Sequence, residues 1–427
     1  MNENFMIGCN YWDSVSGTEM WKNFNPEVID KDLAALKKCG VKYLRVFPLW
    51  RDFQPLKKLY AWQGNFGEYT VGENYEYLDN NPDAIDENQV ENFREFARIA
   101  DKYDMKLAVS IVTGWMSGRL FVPPALDGKN LNTDPEVLMW TEKYARALVA
   151  RLRDIKNIVM WDLGNECNCL ERVKTRAEAY VWTATVRNAI LSSDNTRPIS
   201  SGMHSLVCDN DSGVWQLCDQ GELCDFVTTH PYPSAAVNGD IEPYNELRMT
   251  ITPTAQSEYY AGVSKKPCII QESGTFSPML GNERMSADFL RVNVLSAFAN
   301  NLGGFLWWCG MEHLKLKNPP YSWSMIERQL GMTDLDRNPK PAGKEMKKLS
   351  EVIYSLPQIN GKRADAVCVL SRSINKQSVA CASYILAKQA GFNIKIENCD
   401  TAISKSDAYI LPAINRWQVT YFPIRTL

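Results

Sequence analysis

Two acidic residues close apolar runs in this chain. "IVMWDLGNECN" (158–168) leads into Asn165 and Glu166, and "KPCIIQESG" (266–274) leads into Glu272. A carboxylate at the end of a buried strand is costly unless something meets it, so each needs a partner or a chemical role. Two carboxyls that flank one glycosidic bond have such a role. One gives and later takes a proton, and the other attacks the anomeric carbon. A gap of about 5–5.5 Å between them directs retention through a covalent glycosyl-enzyme. In that scheme burial and its negative neighbour keep Glu166 partly protonated, while Glu272 stays ionised.

Arg45, Trp115, His204, His230, Tyr232 and Trp308 also end apolar runs. A guanidinium at Arg45 and a hydroxyl at Tyr232 would favour the ionised form of Glu272. Asn165 offers an amide to a sugar 2-hydroxyl. His230 orients Glu166 or binds substrate, and Trp308 supplies a face for a sugar ring. Trp307 competes for that last role, because strand alternation admits only one of the two. Trp12, Trp50 and Trp115 line subsites or pack loops. His204, Glu312 and His313 either touch substrate or serve as loop and core groups. The plain alternatives are an ion-pair role for the two glutamates and a barrel-layer cation role for Arg45.

The elements that must position these residues alternate. Strand-like runs at 5–12, 41–50, 106–112, 157–166, 197–203, 224–232, 266–274 and 303–310 are separated by helical patterns at 26–40, 86–104, 135–153, 175–191, 252–262 and 285–300. A last helix spans 340–356. Pro26 and Gly40 bracket the first helix, and Ile29, Leu33 and Leu36 share its apolar face. Eight such strands predict a (β/α)8 TIM barrel with functional side chains at the C-terminal strand ends, over residues 1–358. No glycine-rich phosphate loop follows any strand, which weakens an open doubly wound sheet.

With these residues placed, "WDLGNECN" resembles the Asn-Glu acid/base motif of the retaining clan of barrel glycoside hydrolases that includes family 5. "KPCIIQESG" is similar to that clan's nucleophile strand. Arg45 in "LRVFPLW", His230 and Tyr232 in "THPYP", and Trp308 in "GGFLWWCG" fall in the family's order over residues 5–356. The resemblance implies a retaining β-glycosidase with Glu166 as acid/base and Glu272 as nucleophile. Many members carry a histidine near the end of strand three. Gly114-Trp115 stands there instead, which resembles mannan-acting relatives and points to β-mannosides. β-Galactosidase or β-glucosidase activity is the alternative enzyme reading, and a carbohydrate-binding barrel without turnover is the non-enzymatic one.

Beyond Gly361 the rhythm restarts with "ADAVCVL", "SVACASYILAKQAG", "FNIKI" and "DAYILP". About 65 residues are too few for an independent Rossmann-like core, so residues 359–427 read as an incomplete, truncated or frame-altered segment. The segment is similar to the start of the amidotransferase-like domain of family 42 β-galactosidases. That resemblance implies exo action or short substrates, and a trimer were the domain complete. "VLSRSINKQ" contains no glycine, so no nucleotide is assigned.

Composition removes other classes. A net charge of −3 offers nothing to nucleic acid or an anionic membrane, and no run reaches the length of a membrane span. "MNENFMIGCNYW" reads as no signal peptide. Twelve scattered cysteines read as free thiols of a cytoplasmic protein. Cys167 and Cys169 form C-x-C with no second ligand pair, so we expect no metal and no cofactor. Three histidines without H-x-H on the first strand also disfavour a metal-dependent amidohydrolase barrel.

Overall fold

The computed structural model describes all 427 residues except 1–4, 61, 63–66, 75, 205, 207–212, 233–242, 277–280, 358–360, 362–363, 373–374 and 413–427. The strands are β1 (Met6–Asn10), β2 (Tyr43–Val46), β3 (Lys106–Val112), β4 (Ile158–Gly164), β5 (Ile199–Ser200), β6 (Val227–Thr229), β7 (Cys268–Ser273) and β8 (Gly304–Trp307). Between and after them run α1 (Pro26–Lys38), α2 (Glu87–Lys102), α3 (Pro135–Leu152), α4 (Arg176–Ser193), α5 (Leu217–Leu223), α6 (Leu247–Ser264), α7 (Glu283–Ala299) and α8 (Pro341–Ser355). Polar caps start most of these helices: Asn25 accepts from the amides of Glu27 and Val28, and Thr175 with Glu178 forms a capping box.

All eight strands are parallel, in the order β5-β4-β3-β2-β1-β8-β7-β6. The two ends of this sheet meet. Ser200 bridges Phe226, and the Ser201 amide donates to the Phe226 carbonyl at 3.1 Å. The expected barrel is therefore present and nearly closed. β5 and β6 are much shorter than their apolar runs. Gly202, just past β5, has φ +60, and a Cβ there would stand 2.0 Å from the Gly164 carbonyl oxygen. The chain must turn at that point without a side chain.

The structure departs from the sequence expectation at α6 and in the long excursion. α6 begins at Leu247, five residues earlier than expected, so Pro253 lies inside it and not at its start. The excursion after β2 holds a three-stranded antiparallel sheet, Leu56–Tyr60, Gly67–Val71 and Glu76–Tyr77. Its residues alternate weakly, and Asn and Gly hide the period.

Alternation stacks the barrel interior in layers. Ala108, Met160 and Ile269 form an apolar plug with Met6 and Phe226. Two residues further along the same strands stand Ser110, Asp162 and Gln271, all buried. Above an apolar plug there is thus a polar layer, and Arg45 fills its centre. Its Nε and Nη2 donate to Asp162 Oδ2 at 3.0 and 2.9 Å, and Ser110 and Ser200 also donate to Asp162.

The tail forms β9 (Ala366–Leu370), α9 (Lys376–Gln389), β10 (Ile394–Asn398) and β11 (Tyr409–Ile410), a parallel sheet of order β10-β9-β11. Its buried Cys368, Leu370, Tyr384 and Ile396 belong to the same apolar cluster as the barrel helices. Docking on α6 is close: a Cβ on Gly262 would lie 2.0 Å from the Ile396 carbonyl oxygen. The barrel's surface thus lends the tail a core that about 65 residues cannot build alone. The final "NRWQVTYFPIRTL" lies outside the described residues. The described cysteines are free, and no described helix is long and apolar enough to cross a membrane.

The buried cation makes a stability prediction. Arg45→Met leaves Asp162 and Glu272 uncompensated and should cost about 3–5 kcal/mol in urea unfolding. A loss below about 1 kcal/mol would mean that the polar layer does not depend on the guanidinium.

Candidate active site

Glu166 leaves the end of β4 in the left-handed region, φ 49 and ψ 44. Few non-glycine residues adopt that backbone, and it is retained where surrounding contacts enforce it. Here the enforcement is visible: the Glu166 amide donates to the Gly202 carbonyl at 2.8 Å. The side chain is then aimed at three rings. Trp115 Nε1 donates to Oε2 at 3.0 Å, His230 Nδ1 lies 2.7 Å from Oε1, and His204 Nδ1 lies 2.9 Å from Oε1. The His204 contact is close, but its ring N–H is not aligned as a hydrogen bond. Asn168 accepts from the His204 amide at 2.9 Å and fixes that loop beside the acid.

Glu272 is positioned by an irregularity. Along β7 and β8, Ile270 pairs with Phe305 but Ser273 pairs with Trp307, so β7 carries one extra residue. That bulge breaks alternation and turns two successive side chains, Gln271 and Glu272, inward. Gln271 Oε1 stands 3.4 Å from His230 Nε2. Glu272 Oε1 accepts from Arg45 Nη1 at 2.6 Å, and Oε2 accepts from the Tyr232 hydroxyl at 3.1 Å.

His230 joins the two acids. Its Nδ1 is 2.7 Å from Glu166 Oε1 and 3.5 Å from Glu272 Oε2. The facing oxygens are therefore at most the sum of those legs apart, 6.2 Å. A bound of that size accommodates the close spacing of retaining pairs, about 5–5.5 Å.

The titration of the two acids differs from the sequence expectation. Burial pushes the Glu166 carboxyl up, but His204 and His230 more than reverse this and hold it below the usual range. Glu272 is raised by burial and by negative Glu166, against the pull of His230, Arg45 and Tyr232. His204 in turn is raised by Glu166 and Glu272, despite the opposing effect of its own burial. Both directions run against the expectation of a partly protonated Glu166 and a depressed Glu272. Burial of one acid and a cation beside the other are legible in sequence; two histidines on one oxygen are not. Glu166 and Glu272 are close enough to titrate as a pair.

The remaining candidates separate clearly. Trp308 Nε1 donates to Glu327 at 3.0 Å, and its ring meets Phe47 edge-on at 6.1 Å. Trp307 instead donates to the Leu330 carbonyl at 3.3 Å, so of the two Trp308 is the one bonded to Glu327. Asn165 donates to the Trp115 carbonyl at 2.9 Å, and its Oδ1 has no partner among the described residues. Trp12 is buried and stacked on Phe47 at 5.2 Å, and Trp50 donates to Gln54. Both pack loops.

Glu312 and His313 do not reach the site. Glu312 pairs with Lys340, and buried His313 lies 3.0 Å from the Asp13 carbonyl, its pKa pushed down to about 4 by burial. Both follow β8 too late to remain at the axis. Cys167 and Cys169 are packed thiols whose pKa values burial raises.

Three groups escape the sequence reading: Asp162, Gln271 and Glu327. The first two are legible as polar residues inside apolar runs. Glu327 sits in an aperiodic loop after β8. Burial and negative Glu272 and Glu166 push it up to about 7, against the pull of Trp308 and Ser117. Among the described residues, Glu166, His204 and His230 form the one set whose ligand atoms, all within 4.8 Å of one another, could hold a metal.

No family model matches the chain, and no curated protein matches it. Solved structures do. A GH5_18 protein from Streptomyces cattleya, solved as a glutamate-to-alanine variant with Manβ1-4GlcNAc, has TM-score 0.80 and 18% identity over 96% of this chain and 99% of its own. An exo-β-1,4-mannosidase from Opitutaceae bacterium strain TAV5 has TM-score 0.77 and 20% identity over 96% and 73%. A β-galactosidase from the haloarchaeon Halorubrum lacusprofundi has TM-score 0.64 and 12% identity over 96% and 69%. At such identities the likeness is one of fold. Because 96% exceeds the share taken by the barrel, the GH5_18 match extends into the tail sheet, and the family 42 resemblance of that segment gains no support.

Glu327 yields a linkage prediction. A carboxyl raised from 4.5 to about 7 contributes stability below its unfolded value, which is lost as pH rises through its folded one. Glu327→Gln should therefore match the parent near pH 5 and exceed it by on the order of 1–3 kcal/mol near pH 8. Equal stability in urea at both pH values would contradict the raised carboxyl.

Proposed function

We propose that this chain is a retaining β-glycoside hydrolase acting by double displacement on β-mannosides or related β-linked oligosaccharides, exo or short-chain. One observation carries the reading. A single histidine nitrogen lies 2.7 Å from Glu166 and 3.5 Å from Glu272, so both acids can address one anomeric carbon.

In the first step Glu272 attacks the anomeric carbon, and the bond to the departing oxygen breaks. That oxygen keeps the electron pair and takes a proton from Glu166. His204 at 2.9 Å and His230 at 2.7 Å stand beside Glu166 as that proton departs. An upward-shifted Glu272 is the better nucleophile once ionised, and Arg45 at 2.6 Å holds it in place. In the second step Glu166, now a base, takes a proton from water. The water oxygen bonds to the anomeric carbon and Glu272 leaves. The unpartnered Asn165 Oδ1 suits a 2-hydroxyl, and the Trp308 face suits the ring.

Two neighbours favour mannose: one is an exo-β-1,4-mannosidase and another holds Manβ1-4GlcNAc. Trp115 adds to this, since it donates to Glu166 where many family 5 members place a histidine. β-Galactosidase or β-glucosidase action is the second reading, favoured by the haloarchaeal neighbour. A cytoplasmic setting accords with the free thiols.

The roles separate by mutation. Glu272→Ala should lose about 10^4-fold or more of kcat on nitrophenyl β-mannoside, with azide restoring part and yielding a glycosyl azide. Glu166→Ala should lose about 10^2–10^4-fold on substrates with poor leaving groups and far less on activated aryl glycosides. Equal losses on both substrate types would contradict the proton-donor role.

A further inference from the structure

The loops after β3 and β8 meet across the barrel mouth. The hairpin Trp115–Met116 and Arg119–Leu120 follows β3, and Trp323 to Arg328 follow β8. In the sheet order, β2 and β1 lie between those two strands. The Arg119 guanidinium stacks 3.7 Å from the centre of the Trp323 ring. Ser117, in the same hairpin, lies beside Glu327 and favours its ionised form. The mouth above β1 and β2 is therefore bridged.

Glu327 occupies the inner end of this bridge. Its Oε2 accepts from Trp308 Nε1 at 3.0 Å, which places the carboxyl at the edge of the indole. Both Glu166 and Glu272 raise it through space, so it lies near the two acids. The hairpin runs from Trp115, bonded to Glu166, to Ser117, beside Glu327. It forms one wall from the proton donor to this third acid. A sugar stacked on an aromatic face turns its hydroxyls outward at the ring's edge. A carboxyl there accepts from two neighbouring hydroxyls.

We propose that Glu327 is a specificity residue that binds hydroxyls of the non-reducing terminal sugar, and that the bridged loops leave no room for a residue beyond it. The inference rests on the glycosidase reading above and adds what closes the site and what reads its occupant. The departing group leaves on the Glu166 side. The opposite end, at Trp308 and Glu327, ends under the Arg119–Trp323 stack.

The test uses the full chain with nitrophenyl β-mannoside and with β-1,4-mannotriose labelled at its reducing end. The parent should release only unlabelled mannose and labelled mannobiose in its first turnovers. Glu327→Ala should raise KM for nitrophenyl β-mannoside roughly 10- to 100-fold, with kcat within about 3-fold, and Glu327→Gln should recover much of that loss. Unlabelled mannobiose as an early parent product would overturn the closed end. An unchanged KM in Glu327→Ala would overturn the assigned residue. Absence of turnover by the parent on every β-glycoside tried would sink the glycosidase reading and this inference with it.

Discussion

A fully buried guanidinium is expensive, and the rest of the site is arranged around meeting that cost. Arg45 stands on the barrel axis with Asp162 on one side and Glu272 on the other, at 2.9 and 2.6 Å. Removing charges from water costs several kcal/mol each, and close, hydrogen-bonded pairing is what returns it. Asp162 is therefore as much a part of the site as Glu272. It holds the cation with the help of Ser110 and Ser200, and the cation fixes one oxygen of Glu272. Below this layer the apolar plug of Ala108, Met160 and Ile269 excludes water from one end. The electrostatics are strengthened from below and open only at the mouth.

Backbone irregularities then aim the two acids. A regular β7 would turn Gln271 and Glu272 to opposite faces, and its extra residue turns both inward. Glu166 takes a left-handed backbone that few glutamates adopt, held by the Gly202 carbonyl and the absence of a side chain on that glycine. Neither feature improves the barrel. Both improve the approach of two carboxyls to one histidine nitrogen, which is the form that strain at a functional site takes.

What could be read from residues alone follows from this division. The alternation of apolar runs predicts eight strands, and polar residues ending those runs include Glu166, Glu272, Arg45, His230, Tyr232 and Trp308, which the structure brings together. Asp162 escapes that criterion although it lies within the same run as Glu166, because it faces inward four residues before the strand's polar end. Glu327 has no periodic signal, being on a loop after β8. Glu312 and His313 mislead for the opposite reason: proximity to β8 in sequence ceases to mean proximity to the axis once the strand has ended. The direction of each acid's shift needs distances. His204, in the loop just after Gly202, gives no hint that it shares an oxygen with His230.

Covalent capture of a sugar requires the two acids to face one anomeric carbon at close range. Proton NMR of the first anomer released from a β-mannoside tests this most directly, before mutarotation mixes the products. The geometry predicts that the β-hemiacetal forms first. Appearance of the α-hemiacetal as the initial product would mean that a water stands between Glu166 and Glu272, and would contradict double displacement at this pair.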